Sequence, residues 1–464
     1  MIPPALPRNF LFGAATSAYQ IEGGWDADGK GPSIWDRFTR RRGRIHQGHT
    51  GDIACNTYHD FETDIEIMRV LGLDAYRFSV AWARVLPEGR GRVNEKGLDY
   101  YERLVDALLA AGILPFVTLF HWDMPQALHD QMGGFDHRDC AAVFADYAEV
   151  VGRRLGDRVR HWITLNEPWV HSTFGHGTGF HAPGRRNPKA LMRSVHHQLL
   201  GHGLAAARLK DTDPDAQVGL SLNLTPFYPA SDTDKDRLAA LRADQLINRL
   251  FLDPLFKGTY PEPLWGKLRR FHPRVEPGDM EIIAHPLDFL GINYYTRARV
   301  RHHGLIPFFN LWPDSLPAMV SDVEERQLAA YSQMGWEVYP AGLFETLFML
   351  KKEYGNPPIY VTENGAAYPD EVSADGRVHD AGRRDYLEQH LAVTAAAAGV
   401  DVDVRGYFVW SLIDNFEWTY GYDRRFGIVH VDFDTQQRTI KDSGYWYAEQ
   451  IRQHREAEQE RLAD

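Results

Sequence analysis

Residues 359–365 read IYVTENG, a run of strand-forming residues that delivers Glu363 to an Asn-Gly pair. β-Branched and aromatic residues favour a strand, and Asn-Gly accepts the positive φ that ends one. Residues 162–168 read WITLNEP and repeat the arrangement, with Glu167 at the end of another apolar run. A single glutamate in such a position is usually a solvated charge where a strand meets a loop. Two glutamates at the ends of two strands indicate a shared site.

Six further segments have the same order of an apolar strand followed by polar or aromatic residues. We predict these strands within residues 10–18, 73–80, 114–120, 217–223, 287–295 and 405–412. Near-continuous apolar strands separated by helical patterns are typical of parallel strands buried on both faces. Eight such units predict an α/β fold, a single (β/α)8 TIM barrel over residues 1–464, with long loops at the C-terminal face of the strands. A doubly wound open sheet is the alternative, but no Gly-rich phosphate loop follows the first strand.

Two stretches, residues 171–188 and 302–333, read as long loops, and we interpret the second as an insertion. A loop longer than about 15 residues is seldom an idle connector. The first stretch follows the strand that ends at Glu167, where barrel enzymes carry active-site loops, whereas the second has a mixed composition without clean periodicity and is assigned no role.

Composition and charge limit the partners. The chain has 63 acidic and 51 basic residues and a net charge of −12, which argues against nucleic acid and favours a small neutral molecule. The N-terminus lacks the basic start and apolar run of a secretory signal, and no apolar stretch approaches a membrane span. Cys55 and Cys140 stand far apart without metal-ligand spacing, so we expect reduced thiols and a cytoplasmic protein. Assembly into a homo-oligomer stays open.

Paired carboxyl groups at strand ends suit cleavage of a glycosidic bond, in which one donates a proton and the other meets the charge at the anomeric carbon. A separation of about 5 Å gives retention through a covalent intermediate, and a wider gap gives inversion. Arg77 lies inside an apolar strand and needs a partner. If it reaches Glu363, it holds that group ionised as the nucleophile and leaves Glu167 as the acid/base. The alternative is a salt bridge that only ties strands together.

Six motifs, in order, resemble β-glucosidases of glycoside hydrolase family 1, and the likeness runs over residues 9–447. They are AYQIEG at 18–23, FHWD at 120–123, TLNEP at 164–168, NYY at 293–295, TENG at 362–365 and WSLIDNFEW at 410–418. The resemblance implies that Glu167 is the acid/base and Glu363 the nucleophile, which agrees with the division of roles inferred from Arg77. It implies no metal and no organic cofactor.

The resemblance also implies a set of residues that bind the sugar, with Tyr295 supporting the nucleophile alongside Arg77. The set is Gln20, His121, Trp122, Asn166, Tyr295, Trp336, Trp410, Glu417 and Trp418. Hydrogen-bonding side chains suit hydroxyls, tryptophan faces suit sugar C–H surfaces, and Asn166 is implied to hold the 2-hydroxyl. Structural alternatives are a helix cap for Asn166, a core ring for Trp410 and a satisfied buried histidine for His121.

The expected activity is hydrolysis of terminal β-D-glucosides, and also of β-galactosides or β-fucosides, as part of carbohydrate metabolism and cellulose degradation. Phosphoglycosidases that resemble this fold replace the glutamate at position 417, and a carboxylate there repels phosphate, so an unphosphorylated sugar is favoured. Trp169, Phe174 and His181 are candidates, with Trp336, for an aglycone platform. The alternatives are a transglycosidase that uses the same intermediate and a non-catalytic sugar-binding relative.

Overall fold

The computed structural model describes residues 6–304, 311–313 and 330–463. Its centre is a closed barrel of eight parallel strands that neighbour one another in chain order, with the last strand pairing with the first. The barrel strands are β1 Leu11–Ala15, β2 Ala75–Ser79, β3 Leu114–Phe120, β4 His161–Asn166, β5 Gln217–Asn223, β6 Phe289–Asn293, β7 Ile359–Asn364 and β8 Val404–Trp410. The predicted (β/α)8 barrel is confirmed, and the open-sheet alternative is wrong.

Helices surround the barrel, and short strands extend its loops. The longer helices are Thr57–Leu71, Glu95–Ala110, Cys140–Leu155, Pro188–Thr212, Asp234–Asp244, Leu250–Lys257, Pro340–Glu353, Ala381–Ala398 and Asp442–Ala463. The shorter ones are Ala18–Ile21, Ile34–Thr39, Trp82–Val85, Gln126–Met132, Pro168–Val170, Leu264–Lys267 and Asp279–Ile283. The remaining strands form two small sheets, Phe227–Pro229 with Ala298–His302 and Leu311–Pro313, and Val429–Val431 with Arg438–Ile440.

Aromatic side chains fill the lower part of the barrel. The ring of Phe116 on β3 lies 4.1 Å from that of His161, 5.2 Å from that of Tyr360 and 4.9 Å from that of Phe408. Phe289 on β6 packs against Tyr360 at 5.3 Å. Because these rings fill the interior, we expect a ligand at the carboxyl ends of the strands, where barrel enzymes place their active sites.

The strands that carry the two glutamates are irregular near their ends. The pairing of β4 with β5 shifts between Ile163 and Asn166, and the pairing of β7 with β6 shifts between Val361 and Glu363. A bulge of this kind re-aims a side chain and leaves backbone groups without ladder partners. Both irregularities lie where the strands deliver polar residues to the top of the barrel.

The structure describes one of the two predicted long loops more fully than the other. Within residues 171–188, His171–Thr178 form a π-helical stretch, so that part of the segment is not irregular. Most of the predicted insertion at 302–333 lies outside the described residues.

Among the residues that the structure describes, no helix is both long and apolar enough to cross a bilayer. In the same part of the chain, no cluster of three or more His, Cys, Asp or Glu side chains is arranged to hold a metal.

Candidate active site

Glu363 lies inside the top of the barrel with 3% of its surface exposed. Arg77 Nη1 donates to its Oε1 at 2.5 Å, and the Tyr295 hydroxyl donates to its Oε2 at 2.6 Å. Each carboxylate oxygen therefore has a short donor, and bonds to an ionised group of this length are strong. Arg77 and Tyr295 are the two residues expected to support Glu363, and the structure brings both onto it.

Arg77 is fully buried on β2 and donates from all three guanidinium nitrogens. Nε donates to Thr118 Oγ1 at 3.1 Å, and Nη1 also donates to the Thr362 carbonyl at 3.2 Å. Nη2 donates to Asn166 Oδ1 at 2.6 Å. These bonds reach β3, β7 and β4, so one side chain both joins strands and orients Glu363. The two interpretations of Arg77 are therefore not exclusive.

Glu167 directly follows β4 in the left-handed region, with a φ of 45°. Its Oε1 accepts a hydrogen bond of 2.8 Å from Asn293 Nδ2, which also donates to Asn166 Oδ1 at 3.0 Å. Thr362 Oγ1 donates to Asn293 Oδ1 at 2.7 Å and thereby fixes that amide. Asn293 opens the NYY motif at residues 293–295, but it is not among the residues that the sequence predicts for the site. Its position at the end of β6 was the signal that it belonged to the site.

The two glutamates differ in what opposes the effect of burial. Burial raises the pKa of Glu167 to about 8, and the negative charge of Glu363 adds to the shift. Burial also raises the pKa of Glu363, but the charge of Arg77 and the hydrogen bond from Tyr295 oppose it. Direct contact with Arg77 and Tyr295 thus favours the ionised form of Glu363, whereas the surroundings of Glu167 favour its protonated form.

The amide of Asn166 sets the protonation of His121. Arg77 and Asn293 both donate to Asn166 Oδ1, so Nδ2 is the atom that faces His121 Nε2 at 3.0 Å and donates to it. Burial lowers the pKa of His121 well below its ordinary value, so the ring is neutral. Its proton is then on Nδ1, which has no hydrogen-bond partner among the described residues. That N–H is available to a bound hydroxyl group.

Gln20 and Glu417 lie together on the loops after β1 and β8. Ser17 Oγ donates to Gln20 Oε1 at 2.5 Å, while Gln20 Nε2 donates to the Phe416 carbonyl at 2.9 Å and lies 3.4 Å from Glu417 Oε2. Burial raises the pKa of Glu417 to about 8, and the charge of Glu363 contributes. Burial and the charge of Glu363 therefore favour the protonated form of Glu417, and the preference for an unphosphorylated sugar stays a prediction.

Three of the predicted tryptophans line the same region. The Trp418 ring lies 4.6 Å from that of Trp122 and 4.5 Å from that of Trp35, and the Trp410 ring stacks at 5.8 Å from His121. The Trp122 indole N–H donates to the Asn166 carbonyl at 2.9 Å. Trp122 therefore offers a ligand its ring, since its only donor is already engaged.

The four aromatic residues expected at the mouth have different ring neighbours, and a shared aglycone platform stays a prediction. The Trp336 ring lies 5.2 Å from that of Tyr295, which places it beside Glu363. Trp169 packs against Phe174 at 5.4 Å, and Phe174 packs against His181 at 5.1 Å. His181 is buried against Trp35 and Trp122, so it supports the tryptophans from behind.

A parallel barrel with paired buried carboxyl groups in unequal environments at its strand ends defines a class of proteins, the barrel enzymes that cleave glycosidic bonds. The comparison with known families agrees with this class. The model of Glycosyl hydrolase family 1 matches residues 3–456, and the chain belongs to that family.

Individual relatives are similar over nearly their whole length. The chain is 47% identical over 447 residues to beta-glucosidase A of Thermotoga maritima, which covers 96% of this chain and 97% of the relative. It is 43% identical over 465 residues to a bifunctional beta-D-glucosidase/beta-D-fucosidase of Bifidobacterium breve, covering 97% and 98%. A solved beta-glucosidase of Thermotoga maritima in complex with glucoimidazole superimposes with a TM-score of 0.91 at 45% identity, covering 97% of this chain and 99% of that one.

Proposed function

We propose that the protein is a retaining β-glycosidase in which Glu363 is the nucleophile and Glu167 the general acid/base. The observation that carries the proposal is the unequal environment of the two carboxyl groups. Arg77 and Tyr295 bind Glu363 directly, whereas Glu167 receives one amide hydrogen bond and has a pKa of about 8. A protonated Glu167 can give its proton to the leaving oxygen while ionised Glu363 attacks the anomeric carbon.

The reaction then proceeds in two displacements. Attack by Glu363 forms a covalent glycosyl-enzyme as the protonated aglycone leaves, and Glu167 becomes ionised. Glu167 next takes a proton from water, whose oxygen attacks the anomeric carbon from the face that the aglycone left and releases Glu363. Arg77 and Tyr295 receive the Glu363 carboxylate again, and Asn293 keeps Glu167 in place through both steps.

The glycone is a terminal non-reducing β-D-glucosyl residue, with β-fucosyl and β-galactosyl residues also accepted. The Thermotoga and Bifidobacterium relatives support the first two sugars by the activities in their names. An unphosphorylated sugar is favoured because Arg424, the cation whose charge acts on Glu417, is already paired with Asp423. We propose that the sugar is held by the residues that the sequence predicts for it: Gln20, His121, Trp122, Asn166, Tyr295, Trp336, Trp410, Glu417 and Trp418.

The test uses aryl β- and α-glycosides with the wild type, Glu363→Ala and Glu167→Ala. We expect the wild type to cleave the β-linked substrates with retention, and loss of the acid/base to lower the rate by about 10²–10⁴-fold. Azide is expected to rescue Glu363→Ala with an inverted product and Glu167→Ala with a retained one. Asp64→Ala is the control. Asp64 carries another buried carboxyl group, which lies away from the site and binds Arg438 at a distance of 3.1 Å.

Two outcomes would overturn these roles. Full activity of Glu363→Ala, or a retained azide product from it, shows that Glu363 is not the nucleophile. Cleavage of α-linked substrates alone would refute the β-specificity. A transglycosidase or a non-catalytic sugar-binding protein is not favoured, because the relatives are named for glucosidase and fucosidase activity.

Three further proposals concern the protein's setting. We propose that residues 1–464 form one catalytic domain, since the barrel extends from Leu11 to Trp410 and closes on itself. We propose a cytoplasmic location, supported by the free and buried state of Cys55 and Cys140. Degradation of cellulose-derived oligosaccharides is the proposed physiological role, and growth of a deletion strain on cellobiose tests it.

A further inference from the structure

The irregular end of β7 leaves backbone groups for side chains to bind. The register of β7 shifts between Val361 and Glu363 against β6, and between Val361 and Asn364 against β8. Buried carbonyl groups that lose their ladder partners need other donors. The chain beyond β6 continues through Tyr294 and Tyr295, whose carbonyl groups lie at this irregular point.

Asn364 supplies one of those donors. It follows Glu363 directly, but its side chain contacts the hydroxyl groups of Tyr386 and Tyr407 rather than the groups around the Glu363 carboxylate. Its Nδ2 donates to the Tyr294 carbonyl at 2.6 Å and to the Tyr386 hydroxyl at 3.1 Å. The Tyr407 hydroxyl donates to Asn364 Oδ1 and fixes the orientation of the amide.

Tyr386 supplies the other donor from the Ala381–Ala398 helix outside the barrel. Its side chain is 2% exposed, and its ring stacks on His390 with the centroids 3.8 Å apart. The Tyr386 hydroxyl accepts from Asn364 and donates to the Tyr295 carbonyl at 3.0 Å. The phenol of that same Tyr295 donates to Glu363 Oε2 at 2.6 Å. One hydroxyl on an outer helix thus binds both the residue after Glu363 and the residue that holds its carboxylate.

We propose that Tyr386 is a positioning residue for the reaction: through the Tyr295 carbonyl and the Asn364 amide, its hydroxyl aligns the Tyr295 phenol with the Glu363 carboxylate. Tyr386 touches no reacting atom and acts only through these two neighbours. The inference rests on the proposed role of Glu363 as nucleophile. Part of the preorganisation of the site then comes from a helix outside the barrel. The sequence motifs at the strand ends do not include that helix.

The variant Tyr386→Phe removes the hydroxyl and keeps the ring. Loss of one hydrogen bond that aligns the site is expected to lower kcat/KM for an aryl β-glucoside by about fivefold to tenfold. The Tyr295 hydrogen bond lowers the pKa of Glu363, so its weakening raises that pKa. The acidic limb of the kcat/KM profile, which follows ionisation of the nucleophile, is then expected to move to higher pH.

Tyr447→Phe is the matched control. The Tyr447 side chain is fully buried, and its hydroxyl donates to the carbonyl groups of Gly13 and Tyr407 at 3.1 and 3.0 Å, so it also links an outer helix to two strands. We expect both variants to lose similar thermal stability and only Tyr386→Phe to shift the acidic limb. An unmoved limb in Tyr386→Phe, or equal losses of activity in both variants, would show a purely structural role.

A double-mutant cycle with Tyr295→Phe completes the test. If Tyr386 acts through the Tyr295 phenol, the double variant loses no more activity than Tyr295→Phe alone, whereas independent contributions add. Additive losses overturn the inference. Glu363→Ala distinguishes failure of the proposed function from failure of the role of Tyr386. An active Glu363→Ala enzyme refutes the proposed function. An inactive one, together with an additive cycle, refutes only the role of Tyr386.

Discussion

Replacement of Arg77 by methionine keeps an unbranched buried stem and removes the only cation that contacts Glu363 within the described residues. Four hydrogen bonds disappear, and the Glu363 carboxylate and the Asn166 amide each lose a short donor. Removing one partner of a buried ion pair costs about 3–5 kcal/mol. If about 3 kcal/mol of this is lost in the transition state, kcat/KM falls by about 10²-fold.

The pH profile gives the sharper readout. The charge of Arg77 lowers the pKa of Glu363 and also that of Glu167. In Arg77→Met both pKa values rise, so the nucleophile becomes protonated at a higher pH and the acid/base keeps its proton to a higher pH. Both limbs of the kcat/KM profile are expected to move upward, with the basic limb starting near pH 8 in the wild type because the pKa of Glu167 is about 8.

Arg84→Met is the matched control, because Arg84 is also fully buried and donates to a buried glutamate, Glu22, from Nε at 3.0 Å. Both variants should lose stability by similar amounts in a denaturant titration. Only Arg77→Met should shift the pH limbs. Activity of Arg77→Met within fivefold of the wild type with unmoved limbs would refute the electrostatic role given to Arg77, as would an equal shift in Arg84→Met.

Three further perturbations have defined outcomes. In Glu363→Gln the pKa of Glu167 should fall below about 8 because a neighbouring negative charge is gone, and an unchanged NMR titration of its labelled carboxyl would contradict this coupling. Asn293→Ala should lower kcat/KM by about 10–100-fold. It should also shift the basic limb of the pH profile upward, since the Asn293 hydrogen bond lowers the pKa of Glu167. A pH profile like that of the wild type would exclude a role of Asn293 in setting that pKa. Lys441→Met leaves the buried carboxylate of Asp414 without one partner. It should lower the free energy of unfolding by about 3–5 kcal/mol in a denaturant titration. A loss below about 1 kcal/mol would show that the pair contributes little.

The barrel and the two glutamates were predictable because both depend on local patterns. An apolar strand that ends in a polar residue is visible at Glu363 and Glu167, and eight such units predict a closed parallel sheet. Arg77 stood out as a charge inside an apolar strand, which the energetics of burial make rare without a partner. Each of these features can be read from a few consecutive residues.

The rest of the site depends on contacts between distant segments. Asn293 binds Glu167 only because barrel closure brings the end of β6 near the end of β4, with β5 between them, and Tyr386 meets Tyr295 from a different layer of the fold. The raised pKa of Glu417 follows from its burial and from the charge of Glu363, which no motif reveals. The register shifts at Ile163 and Val361 likewise depend on the partner strands, so the sequence of one strand does not predict them.

The seam between β1 and β8 has a consequence for how the molecule is made. Ala15 pairs with Trp410, so the first strand meets its second neighbour only after roughly 400 further residues have been synthesised. At about 5–20 residues per second on a ribosome, this interval lasts about 20–80 s. During that time one edge of β1 is unpaired, and such edges favour association between chains. Release of a nascent chain before Trp410 emerges should therefore yield aggregation-prone fragments that lack a closed catalytic pocket.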